Sequence, residues 1–185
     1  LSDPTSGVDY AHAIAVDSSY IYVAGLQATG GAGCAIGSYC WRVEKRDKTT
    51  GALVSAFDGD GVVQSDPTGN WDDAYAIAVD SGYVYVTGYQ FTGAGCATGL
   101  ECWRIEKRDK TTGALVSAFD GDGVVLSDPT SSYDDAYAIA VDSGYVYVAG
   151  KQATGAGCAT GLECWRIEKR TITGGDAGTA TILGS

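Results

Sequence analysis

Ala74-Tyr75-Ala76-Ile77-Ala78-Val79-Asp80-Ser81-Gly82-Tyr83-Val84-Tyr85-Val86-Thr87 carries the pattern of two strands joined by a tight turn. The run Ala74 to Val79 reads as a strand, and Asp80-Ser81-Gly82 as the tight turn that ends it. Tyr83 to Thr87 then alternates tyrosines on one face with valines on the other. Both faces are apolar, as expected of a strand buried between two layers. Further along, Cys102 to Lys107 puts Trp103, Ile105 and Lys107 on one face and Arg104 and Glu106 on the other. Asp109 to Gly113 is a polar turn, and Ala114 to Phe119 reads as a fourth strand. Asp120-Gly121-Asp122-Gly123 and a short Val124-Val125-Leu126 follow.

The same unit occurs three times. Ala13-Ile14-Ala15-Val16-Asp17 returns at Ala76–Asp80 and Ala138–Asp142, and Ser2-Asp3-Pro4-Thr5 returns at Ser65–Thr68 and Ser127–Thr130. Cys34, Cys96 and Cys158 recur at intervals of 62 residues, as do Cys40, Cys102 and Cys164. Residues 65–108 and 127–170 differ at six positions. Copies this similar must share a fold and surfaces. The chain therefore divides into repeats at 1–64, 65–126 and 127–185, the last with a different sequence after Arg170. Terminal repeats are commonly atypical. The expectation is an all-β protein of three tandem four-stranded antiparallel blade-like repeats. They would form a propeller-like arc or a β-solenoid, with a local disulfide in each.

Composition narrows the function. The 185 residues carry a net charge of −11, which repels phosphate backbones and excludes nucleic acid as a partner. No apolar run is long enough to span a membrane. Glycine supplies 27 residues, about twice the usual share. Methionine is absent even from position 1, which suggests a processed mature form. Asn70 is the only asparagine, a composition that fits a heat-resistant protein.

The residues Gly113-Ala114-Leu115, Phe119-Asp120-Gly121-Asp122-Gly123-Val124-Val125, Asp134-Asp135-Ala136, Ile139-Ala140-Val141-Asp142 and Tyr147-Val148-Ala149-Gly150 together resemble the delta-60 repeat. More broadly they look like blades of β-propeller repeat families. The resemblance covers most of each copy except the glycine-cysteine loop, and it implies an extracytoplasmic blade without implying an activity. The cysteine pairs and the count of three depart from the pattern.

Three blades pose a packing problem, because closed propellers use four to eight. An open arc leaves an apolar face bare at each end, and such faces mark interaction sites. Two chains can close a six-blade ring, or the third unit can stack on the first unit of the next chain. The phase of the ends favours stacking, because Leu1-Ser2-Asp3-Pro4-Thr5 aligns with Leu126–Thr130. The β-prone tail through Thr181, Ile182 and Leu183 then serves as the other half of a subunit joint, or pairs with its own blade.

Cys34/Cys40, Cys96/Cys102 and Cys158/Cys164 share the spacing Cys-x5-Cys. Such a loop closes as a disulfide worth about 2 kcal/mol on the chain-entropy model. Metal binding and free thiols are the rivals, but zinc prefers closer pairs, and no histidine repeats with them. Pairing within a copy is favoured because each copy holds an even, local set, with pairing between copies left open by the sequence. Disulfides place the protein in an oxidising location, extracellular or at the cell surface. Asp58, Asp60, Asp120 and Asp122 offer carboxylates to calcium, although a glycine-rich turn explains them equally well. No other cofactor is implied. His12, the sole histidine, stands where the other copies have Tyr75 and Tyr137, so it reads as packing or surface. Trp41, Trp103 and Trp165 fall at one blade position and serve as core or stack on a glycan. The reading is a non-enzymatic extracellular structural protein that self-assembles head to tail into a filament or array. Its alternative is a carbohydrate- or ligand-binding module, as a dimeric six-blade ring or a piece of an adhesin.

Overall fold

The computed structural model describes residues 7–28, 33–153, 158–159 and 161–182. All regular structure among them is β. Twelve strands form three antiparallel sheets in tandem. The first sheet is β1 (Asp9–Val16), β2 (Tyr20–Ala28), β3 (Tyr39–Asp47) and β4 (Val62–Ser65). The second is β5 (Asp73–Val79), β6 (Tyr83–Phe91), β7 (Glu101–Asp109) and β8 (Val124–Ser127). The third is β9 (Asp135–Val141), β10 (Tyr145–Ala153), β11 (Glu163–Thr171) and β12 (Asp176–Ile182). Each sheet is an up-and-down meander in chain order.

The sheets pack face against face. β5 lies against β1 and β2, and β9 against β5 and β6, so the first strands of the three sheets stand side by side. This is the arc and not the solenoid. Ladder pairing stays within each sheet, and the described bridge between sheets is the single parallel one of Tyr39 with Trp71. The alternation in β6 explains the layering. Val84 and Val86 enter the core shared with the first sheet, beside Tyr22, Trp41, Val43 and Phe57. Tyr85 enters the core shared with the third sheet, with Trp103, Ile105, Phe119, Val146 and Val148.

Each first strand is bulged opposite a glycine. The pairing register slips between Ala11 and Ala13, Ala74 and Ala76, and Ala136 and Ala138. The residues so displaced, His12, Tyr75 and Tyr137, line up across the three sheets with ring centres 5.4 Å apart at both steps. A Cβ on Gly25, Gly88 or Gly150 would fall within 2.0 Å of the facing carbonyl oxygen of Tyr10, Asp73 or Asp135. Only glycine lets the backbones approach that closely.

The fourth strand differs from the sequence expectation. Ala114–Phe119 forms one bridge, Leu115 with Arg108, and then a turn. The strand beside β7 is Val124–Ser127. Gly113, Asp120, Gly121 and Gly123 all have positive φ, so the chain curls and cannot run extended there. The curl drops Phe119, like Phe57 before it, fully into the core between sheets. In the third unit the sequence after Arg170 replaces this loop by a short turn, and β12 pairs directly with β11, Ile182 opposite Trp165.

Candidate functional site

The joint between sheets is the most elaborate feature of the molecule, and it is built twice from equivalent residues. Trp41 on β3 is 0% exposed, and its indole Nε1 donates to the Tyr89 carbonyl on β6 at 3.0 Å. Trp103 on β7 is also 0% exposed and donates to the Lys151 carbonyl on β10 at the same distance. Lys45 Nζ reaches across to the Lys110 carbonyl at 2.7 Å, and Lys107 Nζ to the Ile172 carbonyl at 2.8 Å. Each of these amines also lies 4.1 Å from a ring centre, that of Tyr20 or Tyr83. Burial lowers the pKa of both.

A buried charge network lies within each joint on the receiving sheet, and the first sheet carries its counterpart. Glu106 lies between Arg104 and Arg108, at 2.8 and 2.7 Å. Glu44 and Glu168 are bracketed in the same way by Arg42 and Arg46 and by Arg166 and Arg170. Burial raises the Glu106 pKa, but the guanidiniums of Arg108 and Arg104 and the Ser65 hydroxyl outweigh it and bring it down to about 2. Ser65 Oγ donates to Glu106 from the preceding sheet at 2.8 Å, and Ser127 Oγ to Glu168 at 2.5 Å. The strand sequence Arg-x-Glu-x-Arg puts all three charges on one face, which is the signal that could have announced this triad.

Ser65–Thr68 and Ser127–Thr130, two copies of Ser-Asp-Pro-Thr, link successive sheets. Asp66 accepts from the Ala35 amide in the first cysteine loop, and Asp128 from Ala97 in the second. Thr68 and Thr130 then donate to Asp72 and Asp134. Asp72 in turn accepts from the Phe91 amide, while burial pushes its pKa up to about 6. His12 Nε2 meets Asp73 Oδ2 at 3.1 Å across the first joint, and burial of Asp73 raises its pKa to about 6 despite that contact. At the second joint Glu101 is raised to about 7 by burial and by the neighbouring Asp135.

The sequence-derived sites fall out as follows. Cys34–Cys40, Cys96–Cys102 and Cys158–Cys164 are disulfide-bonded within their own units, with Cα atoms 5.5–5.7 Å apart. Asp60 and Asp122 cap their own turns by accepting from the Val62 and Val124 amides. Asp58 and Asp120 use their backbone amides to reach Thr112 and Thr173 of the next sheet. No group of three or more His, Cys, Asp or Glu side chains among the described residues is placed to hold a metal ion. Trp41 and Trp103 are core, so neither can stack on a glycan. Of the expected joint, Leu1, Ser2, Asp3, Pro4, Thr5 and Leu183 lie outside the described residues. Thr181 and Ile182 sit in β12, paired with the chain's own third sheet.

The exposed counterparts of the joint residues lie elsewhere. Trp165 is 69% exposed, although Trp41 and Trp103 are fully buried. On the first sheet Ile14 is 66% exposed, whereas its counterpart Ile77 is 8% exposed. Among the described residues no helix is long and apolar enough to cross a membrane. No family model matches the chain, and no curated protein is detectably similar to it.

Proposed function

We propose that this chain is a non-enzymatic structural protein of the cell exterior that assembles head to tail into a filament or surface array. One observation carries the reading. Among the described residues there are two complete sheet-to-sheet joints and, at each end, one half of that joint with exposed apolar side chains. Apolar faces of this kind on a soluble chain mark association surfaces. The three disulfides support an oxidising location. The acidic side chains support a structural role, because Asp72 and Asp134 clamp the links between sheets and Glu44, Glu106 and Glu168 are held in arginine pairs. The resemblance to delta-60 and propeller blades fits the same proposal.

Electron microscopy and sedimentation of the purified protein over a wide concentration range test it. Filaments or concentration-dependent polymers are expected. Compact monomers at every concentration would overturn the reading, and a discrete dimer would replace the filament by a six-blade ring.

Glycan binding has one observation of its own. Trp71 is exposed and stands between Tyr39 and Phe91, with ring centres 6.3 and 6.5 Å away. An aromatic shelf of this type stacks on sugar rings. Glycan-array binding lost in Trp71→Ala would favour this second reading.

A further inference from the structure

We propose that the uncovered face of the third sheet docks onto the uncovered face of the first sheet of a second copy of this chain, in the register of the two internal joints. This inference rests on the self-association reading and names the surfaces and contacts that carry it. It also moves the joint away from the terminal segments and onto the broad faces of the sheets.

Both halves are already present in every chain. The donor half repeats residue by residue: Trp41, Val43, Lys45 and Tyr22 on the first sheet, and Trp103, Ile105, Lys107 and Tyr85 on the second. On the third sheet the set is Trp165, Ile167, Lys169 and Tyr147. The first two tryptophan–tyrosine pairs are fully buried, and the third set is partly or largely open. The acceptor half repeats likewise. Ile77, Val84 and Val86 receive the first joint and Ile139, Val146 and Val148 the second. Ile14, Ile21 and Val23 repeat the same pattern on the first sheet, Ile14 exposed and Ile21 and Val23 half-buried.

The polar contacts have open partners in the same register. Tyr89 and Lys151, whose carbonyls accept from the buried indoles, correspond to Leu26. Beside Leu26 the first sheet has a hollow of about 210 Å³ lined by Val23, Gly25, Arg42 and Glu44 among others. The Trp165 indole fits there and donates to the Leu26 carbonyl. Lys169 corresponds to Lys45 and Lys107, and its target is the Lys48 carbonyl, the counterpart of Lys110 and Ile172. Charge agrees too. Lys110 pairs with Asp17 of the preceding sheet at 2.8 Å, so Lys48 of the second copy faces Asp142.

No other occupant fits both ends at once, because each end is the complement of the other and not of itself. The contact is heterologous, so every assembled chain points the same way. The third unit lacks a counterpart of Phe57 and Phe119 and of the Asp-Gly-Asp-Gly loop. The joint between chains is therefore smaller than the joints within a chain, and dilution should separate copies before it unfolds them.

Two single-end blocks test this. Trp165→Asp closes the third-sheet face, and Ile14→Asp closes the first-sheet face; both positions are exposed in the single chain. Sedimentation of each variant alone should show monomers where the wild type assembles. An equimolar mixture should show one-to-one pairs and nothing larger, because one free face of each kind remains. If the wild type assembles but either variant does too, or the mixture stays monomeric, the proposed faces are wrong while self-association stands. If the wild type itself stays monomeric, the self-association reading falls and the joint with it.

Discussion

Trp103 and Trp165 occupy the same position in successive units, so replacing each by alanine isolates the effect of the joint from the effect of the residue. A buried tryptophan removes some 150–250 Å² from water, and truncating one in a packed core costs ~3–5 kcal/mol. Trp103 is fully buried between the second and third sheets, and its loss also leaves the Lys151 carbonyl without its indole donor. A destabilisation of about 4 kcal/mol is expected for Trp103→Ala. At a slope of ~2 kcal/mol per M, the urea midpoint falls by ~2 M. Trp165 is 69% exposed, so Trp165→Ala should change stability by no more than ~0.5 kcal/mol. Far-UV circular dichroism in urea, at a protein concentration where sedimentation shows single chains, separates the two. A smaller slope in Trp103→Ala would mean that the third sheet comes away alone, as a stack of units allows. Similar midpoint shifts for both variants would refute the layered arrangement, since they would give both tryptophans the same surroundings.

Three other perturbations probe the scaffold. Glu106→Gln leaves Arg104 and Arg108 buried without their counter-ion and should cost ~3–5 kcal/mol, a drop in Tm of roughly 10 °C by calorimetry. Gly88→Ala places a methyl group 1.9 Å from the Asp73 carbonyl oxygen; it should push β5 off β6 at a cost of ~3 kcal/mol, seen as a lower urea midpoint. Burial holds Asp72 and Asp73 at about 6 and Glu101 at about 7, above their unfolded values. The folded chain therefore binds protons that the unfolded chain releases near pH 4, so this contribution is complete below pH 4 and is lost as pH rises through 6 to 7. Glu106 acts oppositely, and its contribution disappears only as pH falls from about 4.5 through 2. Tm of the single chain should peak near pH 4–5 and be lower at pH 8; a Tm that rises from pH 5 to pH 8 would contradict this.

Much of the fold was legible because it is local. The tyrosine–valine alternation of Tyr83–Thr87 foretold a strand buried on both faces, and β6 is one. The Cys-x5-Cys spacing foretold disulfides within each unit, because a short loop leaves few other partners. Ala114–Phe119 misled for a physical reason. Leu115, Val116 and Phe119 have strand-like side chains, but the backbone is ruled by Gly113 and by Asp120, whose φ is +53°. Phe119 is buried because the chain curls, not because it is extended. The joints were not legible at all. An indole on β3 that bonds to a carbonyl on β6 depends on where the next sheet sits, and neither residue's local pattern contains that. His12 was read as packing or surface because no repeat shares it, yet it spans a joint to Asp73. The terminal segments draw attention by their phase, and Leu1–Thr5 and Leu183 lie outside the described residues; the exposed Trp165 and Ile14 stand in mid-strand.

The divergence of the third unit sharpens the case for an interface. After Arg170 the sequence departs from the first two units, and the loop that plugs the core with phenylalanine is lost. The strand just before it does not differ: Glu101–Arg108 and Glu163–Arg170 are the same eight residues. An outer face meant only for water would be served by polar residues, and an exposed Trp165 beside Ile167 invites nonspecific collapse. The first sheet repeats the situation at the other end with Ile14 and Val16. Exposed apolar residues at one end could be incidental to repetition. At both ends they lie in complementary halves of a joint the chain already builds twice, and that complementarity supports the proposed contact between copies.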